Sequence, residues 1–357
     1  MNRNYILILL FISSVWTADL GPKAKNLKGK STMGLVSSDI YETKIEVLVE
    51  EFNLVNLNEG SKVVIDKGVS TLKQGFPDVP KLTTSIIIPD ESEMKLNIID
   101  SNYEEYTGID LVPSKGNITR DIDPNSVPYI YNESYNKNQF YPKNIAELDS
   151  PYILRDLRGQ SISIYPVQYN PVSKVIRVYS NIVIDVKSTS IKGENILNRS
   201  ASEVIKANDD YMHIYDDLFI NSSRDTRFEY LSDAGSMLVI CYDDFIDEMQ
   251  PFVDWKNKKG IHTEIVGINE IGSSTSSMQN YINNYYYENN LTYLLLVGDI
   301  NQIPTHIVNG AASDPSFGFI EGNDSFAEVI VGRFSANNPS ELQTQIDRTL
   351  DYEINPI

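Results

Sequence analysis

Two textures of apolar and polar residues divide the chain. From about Ser31 to Ser188 the apolar positions recur with a period of two. Ile45, Val47 and Val49 alternate within KIEVLVE, and the short runs KVVID, TSIIIP and MKLNIID follow. Period two marks a strand with one face buried. SISIYPVQYNP and KVIRVYSNIVIDVKS predict a hairpin with Asn170 and Pro171 among its turn residues. A Tyr-, Asn- and Pro-rich stretch, Ser126 to Pro151, reads as ordered loop, and no helical periodicity of useful length occurs. The many short strands predict a β-rich, sandwich-like domain.

Near Met237 the period changes. Met237–Tyr242 predicts a buried strand. Phe245, Met249, Phe252 and Val253 then recur at helical spacing, with Asp243 or Asp244 to cap the start and Gly260 to close the end. Pro251 falls inside that helix and predicts a kink, because proline has no N–H to give the preceding turn. Further strands are predicted at His262–Val266, Leu291–Val297 and Glu328–Arg333, with a helix marked by Met278, Ile282 and Tyr285. The last helix opens at Asn338-Pro339-Ser340-Glu341 and continues through Leu342, Ile346 and Leu350, a cap followed by an apolar stripe. Alternation of strand and helix implies a largely parallel sheet with helices on both faces. Between the two textures, Thr189 to Ser236 is largely polar and holds Arg224 and Arg227. It reads equally as a linker or as an exposed processing segment.

At 357 residues and 41% hydrophobic composition the chain can bury the cores of two domains. The net charge of −19 argues against nucleic acid or an anionic membrane as partner, since phosphate surfaces would repel it. Residues 1–18 read as a secretory signal: Arg3, an apolar run from Ile6 to Ile12, then mostly small and polar residues to Ala18. No later segment approaches the length of a membrane span, so a secreted or cell-surface protein is expected. The single cysteine, Cys241, excludes an internal disulfide and lies in the strand pattern MLVICY, where a core role is expected. No Gly-rich phosphate loop follows a strand, and Asp243-Asp244 would repel a nucleotide.

The acidity has one local focus. Asp299 directly follows the strand LLLVG, while Glu321, Asp324 and Glu328 lie in the loop before the next strand. In open α/β sheets, ligands gather at the carboxyl ends of strands. Adjacent strands are expected to bring these carboxylates together, either around a hard cation or as separately solvated acids, with Asp299 alternatively serving only backbone N–H groups.

DWKNKKGIHTEIV at 254–266, LTYLLLVGDINQIP at 291–304, and SDPSFGFIEGNDSFAEVIVGRF through TQIDRTLDYEIN at 313–355 resemble the start of the gingipain-type cysteine peptidase domain. GFPDVP at 75–80, IIIP, and YPVQYNP with its RVYSNI hairpin resemble the propeptide domain of the same family. The resemblance implies a zymogen: a signal at 1–18, a β-rich propeptide domain and linker at 19–227, and the first part of an α/β caspase-like domain at 228–357. It implies an activation bond at Arg227–Phe228, protein or peptide substrates, and a propeptide packed on its own catalytic domain. It also implies a structural calcium at Asp299, Glu321, Asp324, Phe326 and Glu328, with backbone carbonyls serving at Glu321 and Phe326.

The family's catalytic His-Gly pair and cysteine would follow Ile357. His213, His262, His306 and Cys241 match no catalytic position, so no catalytic residue is assigned. The alternative is a non-catalytic secreted protein that binds or inhibits a related protease. A final parallel strand left with an uncovered apolar edge and face would make 237–357 an incomplete domain, expected to be a fragment or to aggregate alone.

Overall fold

A computed structural model describes residues 30–198, 204–222 and 229–356. The N-terminal signal and Arg227 lie outside the described residues.

The N-terminal unit is a sandwich of two antiparallel sheets, as the alternation predicts. Its labelled strands are β1 (Ser31–Ser38), β2 (Glu42–Val49), β3 (Pro80–Ile87), β4 (Ser92–Thr107), β5 (Ala146–Leu154), β6 (Leu157–Ile164), β7 (Val167–Asn170) and β8 (Val175–Lys192). The long β8 is the spine of one sheet, pairing with β4 on one side and with β7 and then β2 on the other, while β1 adds to β2. In the second sheet β6 lies between β3 and β5. Alternate residues of β2 (Ile45, Val47, Val49) meet Ile182, Ile184 and Val186 of β8 and Ile86, Ile162 and Ile164 of the facing sheet in one core. The stretch expected to be loop does hold β5 from Ala146 onward. Its register slips between Leu148 and Pro151, which blunts the alternation that would have betrayed a strand.

The segment expected to be a polar linker is more structured than its composition suggests. It contains α1 (Asp209–Leu218), capped by the Asn208 side chain accepting from Asp210 N–H. Tyr211 and Tyr215, four residues apart, are its buried face. A short parallel pair, Val204–Ala207 with Glu229–Ser232, flanks it.

The second unit is an α/β domain with strands β9 (Ser236–Cys241), β10 (His262–Gly267), β11 (Leu291–Val297) and β12 (Ile330–Phe334) and helices α2 (Ile246–Lys258), α3 (Thr275–Asn289) and α4 (Pro339–Ile354). All four strands are parallel, in the order β10-β9-β11-β12. Strand side chains split by parity. Leu238, Ile240, Leu294 and Leu296 pack on Met278 and Ile282 of α3. Met237, Val239, Leu295 and Val297 pack on Met249 and Phe252 of α2 and on Leu342 and Ile346 of α4.

Helix α2 runs on through Pro251, which lies inside it as expected. One expectation changes here. The face of the last strands is covered by α4, so only the edge expectation stands: among the described residues β12 pairs with β11 alone, and its Ile330 is exposed.

Candidate functional site at the two rims of the parallel sheet

Parallel strands give the sheet two chemically different rims. At the carboxyl rim, Gly298 takes φ 132° directly after β11, turning the chain back across the sheet end. Asp299 N–H donates to the Ala336 carbonyl and to Gln302 Oε1, and its Oδ1 accepts from Ser335 Oγ at 2.9 Å. Beside it, Arg333 at the end of β12 grips Asp314 with two bonds of 2.7 Å and donates to the Gly298 and Ile303 carbonyls. The Arg333 bonds hold the Asp314 carboxyl below its ordinary range, against partial burial. Asp299, Thr305, Asp314 and Arg333 line a crevice of about 200 Å³ at the strand ends, the place where such sheets receive ligands.

Cys241 ends β9 near this rim but points into the core. It is fully buried, and burial, with Asp243 and Glu248 nearby, pushes its thiol up to about 12. Such a thiol is not a nucleophile at neutral pH. His262 is exposed beside Glu264, and His306 bonds Gln279 and packs on Phe317.

The amino rim holds the other four predicted calcium positions. The parallel register aligns Tyr293 with Ile330, so the loop ahead of β12 lies at the start of β11, whereas Asp299 lies beyond its end. Five residues of strand put the rims roughly 16 Å apart. Asp299 therefore cannot share an ion with Asp324 and Glu328. The sequence expectation failed because it treated the loop before a strand and the loop after its parallel neighbour as one place.

Within the loop the geometry is tight. Glu328 is fully buried; its Oε2 accepts from the N–H groups of Ile320 at 2.7 Å and Glu321 at 3.1 Å. Its Oε1 receives only a long contact, 3.5 Å, from Arg155 N–H. Burial raises the Glu328 carboxyl to about 7, the three N–H bonds oppose the rise, and Asp324 adds to it. Asp324 Oδ1 accepts from Phe326 N–H at 2.8 Å. Glu328 Oε1 is thus a buried carboxylate oxygen with one long contact, the kind of donor a hard cation takes. Among the described residues, however, no three carboxylate, imidazole or thiolate groups gather into a metal-binding cluster.

What the sequence did not disclose is how fully the N-terminal unit engages this rim. Asp324 Oδ2 accepts from Ile153 N–H at 2.8 Å and from Asn195 Nδ2 at 2.7 Å, while Asn195 Oδ1 accepts from Asn323 N–H. Tyr152 stacks on Phe326 with ring centroids 3.8 Å apart, and Tyr211 donates to the Ala327 carbonyl. Arg155 reaches furthest, with both Nη atoms bonded to groups at the starts of β11 and β12. The only sequence signal was Arg155-Asp156 standing between two apolar runs, YIL and the strand that follows, as a two-residue turn would.

An antiparallel sandwich followed by a parallel α/β unit defines a two-domain β then α/β architecture, and comparison with known proteins gives the family. The C25 propeptide family (Propeptide_C25) matches residues 33–215, and Peptidase family C25 matches residues 230–356. The chain belongs to the gingipain-type peptidase family, with a propeptide region and a peptidase region in that order. Gingipain R1 of Porphyromonas gingivalis is 40% identical over 295 residues, 81% of this chain and 29% of that protein. Gingipain R2 of the same organism (strain ATCC BAA-308 / W83) is 36% identical over 331 residues, 90% of this chain and 44% of that protein. The chain thus spans less than half the length of these curated relatives. A solved complex of the pro- and mature domains of Porphyromonas gingivalis RgpB aligns with 54% of this chain and 97% of that one, at 32% identity and a TM-score of 0.48.

Proposed function

We propose that this chain is the N-terminal part of a secreted cysteine-endopeptidase zymogen. The sandwich serves as propeptide, and the α/β unit begins a caspase-like catalytic domain whose cysteine and histidine are supplied by sequence after Ile357. The observation that carries this is the pair of family matches flanking the 216–229 segment, which contains Arg227. Protein or peptide substrates would meet the carboxyl rim, where a thiolate forms the acyl-enzyme and the histidine carries the proton. The domain limits 1–18, 19–227 and 228–357 belong to the same proposal. Treatment of the purified chain with an arginine-specific protease, followed by N-terminal sequencing, tests the activation bond. A new terminus at Phe228 that disappears in Arg227→Ala is the expected result; cleavage elsewhere removes Arg227 from the scheme.

Calcium belongs to this proposal in a narrowed form, held by Glu321, Asp324, Phe326 and Glu328 without Asp299. Calcium is expected to raise the melting temperature of the chain. Asp324→Ala should abolish the shift and Asp299→Ala should leave it intact; a shift that depends on Asp299 would overturn the narrowed set.

A second role for residues 1–357 on their own is binding to or inhibition of a related protease, supported by the contacts the N-terminal unit makes with the α/β unit. Added to an active gingipain-type peptidase, the chain should inhibit without being a catalyst itself; absence of inhibition at micromolar concentration counts against this role.

A further inference from the structure

The hairpin joining β5 to β6 turns through two residues, with Leu154 paired to Leu157. At its tip Arg155 takes φ 52°, a conformation that glycine and asparagine adopt far more readily. Strained backbone at a large side chain persists where surrounding contacts hold it, and here they do. Arg155 is 3% exposed. Nη1 donates to the Leu291 carbonyl at 2.7 Å and the Glu328 carbonyl at 2.8 Å. Nη2 donates to Asn290 Oδ1 at 2.7 Å and Thr292 Oγ1 at 3.2 Å. All four acceptors belong to the α/β unit, and all are neutral oxygens. The Tyr211 and Tyr286 rings flank the guanidinium, 5.0 and 5.6 Å from its carbon. The nearest carboxylate is its own neighbour Asp156, 3.7 Å from Nε.

A fork of acceptors between aromatic rings selects a planar, five-donor cation over a compact ammonium. The receptor is itself built with care. Asn290 sits in the left-handed conformation just after α3, which aims its side chain at the fork, and it also donates to Asp233. Around the plug lie the Asn195–Asp324 bond and the Tyr152–Phe326 stack, an arrangement of central arginine and surrounding contacts usual at strong interfaces.

We propose that the amino rim of the α/β sheet carries a guanidinium-binding pocket, formed by the Leu291 and Glu328 carbonyls, Asn290, Thr292 and the Tyr286 ring, and that Arg155 is the anchor docking the N-terminal domain into it. The pocket lies at the opposite rim from the carboxyl-end crevice. Its test reads docking rather than cleavage, so its failure is separate from failure of the zymogen assignment.

Chemical rescue on the full chain gives that test. In Arg155→Ala, amide exchange at Ile153, Ile320 and Glu321 should speed up by about tenfold or more, since bonds from a charged donor are lost. Exchange in the cores of β2 and β9 should stay slow. Millimolar ethylguanidinium should restore protection at the rim, and ethylammonium should not. Should Arg155→Ala fail to fold, Arg155→Lys serves: it keeps the charge and should lose the same protection. Wild-type protection in either variant, or rescue by ethylammonium as effective as by ethylguanidinium, overturns the proposal.

Discussion

Asp324 shows how much one side chain can carry at the junction. Its two oxygens accept three bonds, two of them from the N-terminal unit and one from its own loop. Removing it leaves the Ile153 N–H and the Asn195 amide without their acceptor in a part-buried setting, at a cost of about 2 kcal/mol. Asp324→Ala should therefore melt earlier even without calcium, and Asp324→Asn should recover part of the loss; unchanged melting of Asp324→Ala would show that water replaces the carboxylate freely. Arg158 acts on the same contact from behind. Fully buried, it donates to the carbonyls of Pro89, Ser92, Glu194 and Asn195 and so fixes the turn that presents Asn195. Neither role could be read along the chain. Asn195 and Asp324 are 129 residues apart, and nothing in a polar run distinguishes the residue that docks from those that are solvated.

Among the elements, α4 decides whether the α/β unit is closed. Asn338 caps it by accepting from Glu341 N–H, and Glu341 reaches back to Asn337 N–H, as the sequence cap predicted. Its far end is tied to α2 by Glu353, which accepts from Lys256 at 2.5 Å, Trp255 at 2.9 Å and Lys259 at 3.0 Å. Burial alone would raise the Glu353 carboxyl, but these three bonds outweigh it and hold the group at about 2, below its ordinary 4.5. The sign follows from the depressed value. The clamp contributes fully above about pH 4.5 and is lost as pH falls toward 2. Acid titration of wild type and Glu353→Gln should show that the variant lacks this dependence; parallel curves would exclude the clamp. Leu342→Ala, which opens a hole against β9 and β11, should cost about 2–5 kcal/mol in the same unit. The long helices α3 and α4 were legible because burial repeats at the helical period, and β11 because it is a continuous apolar run buried on both faces. Helix α1 was missed because its buried face is only Tyr211 and Tyr215 within a run of aspartates, and β5 because its register slip hides the alternation.

For the whole molecule, the interface ties the two units together across a polar connection. The Arg155 plug, the Asn195 bond and the Tyr152–Phe326 stack join them independently of the covalent link. After proteolysis within 223–228, the two pieces should co-elute on size-exclusion at neutral pH and moderate salt. Early separation would mean that the connecting chain, rather than the interface, holds them. The sequence did indicate two units in this order, and the family resemblance named both. It placed Asp299 with the loop acids because strand order and direction, which decide which loops share a rim, arise only when the sheet is assembled.

That direction has a practical corollary. Each of β9, β11 and β12 begins near the grip on the N-terminal unit and ends at the crevice, like the shaft between a tool's handle and its blade. Roughly 16 Å of packed strand exceeds the reach of an exposed charge in physiological salt. Residues around Asp299, Asp314 and Arg333 can thus be varied widely in a library while the hold at Arg155 is kept constant, and the hold can be loosened by degrees without reshaping the opening.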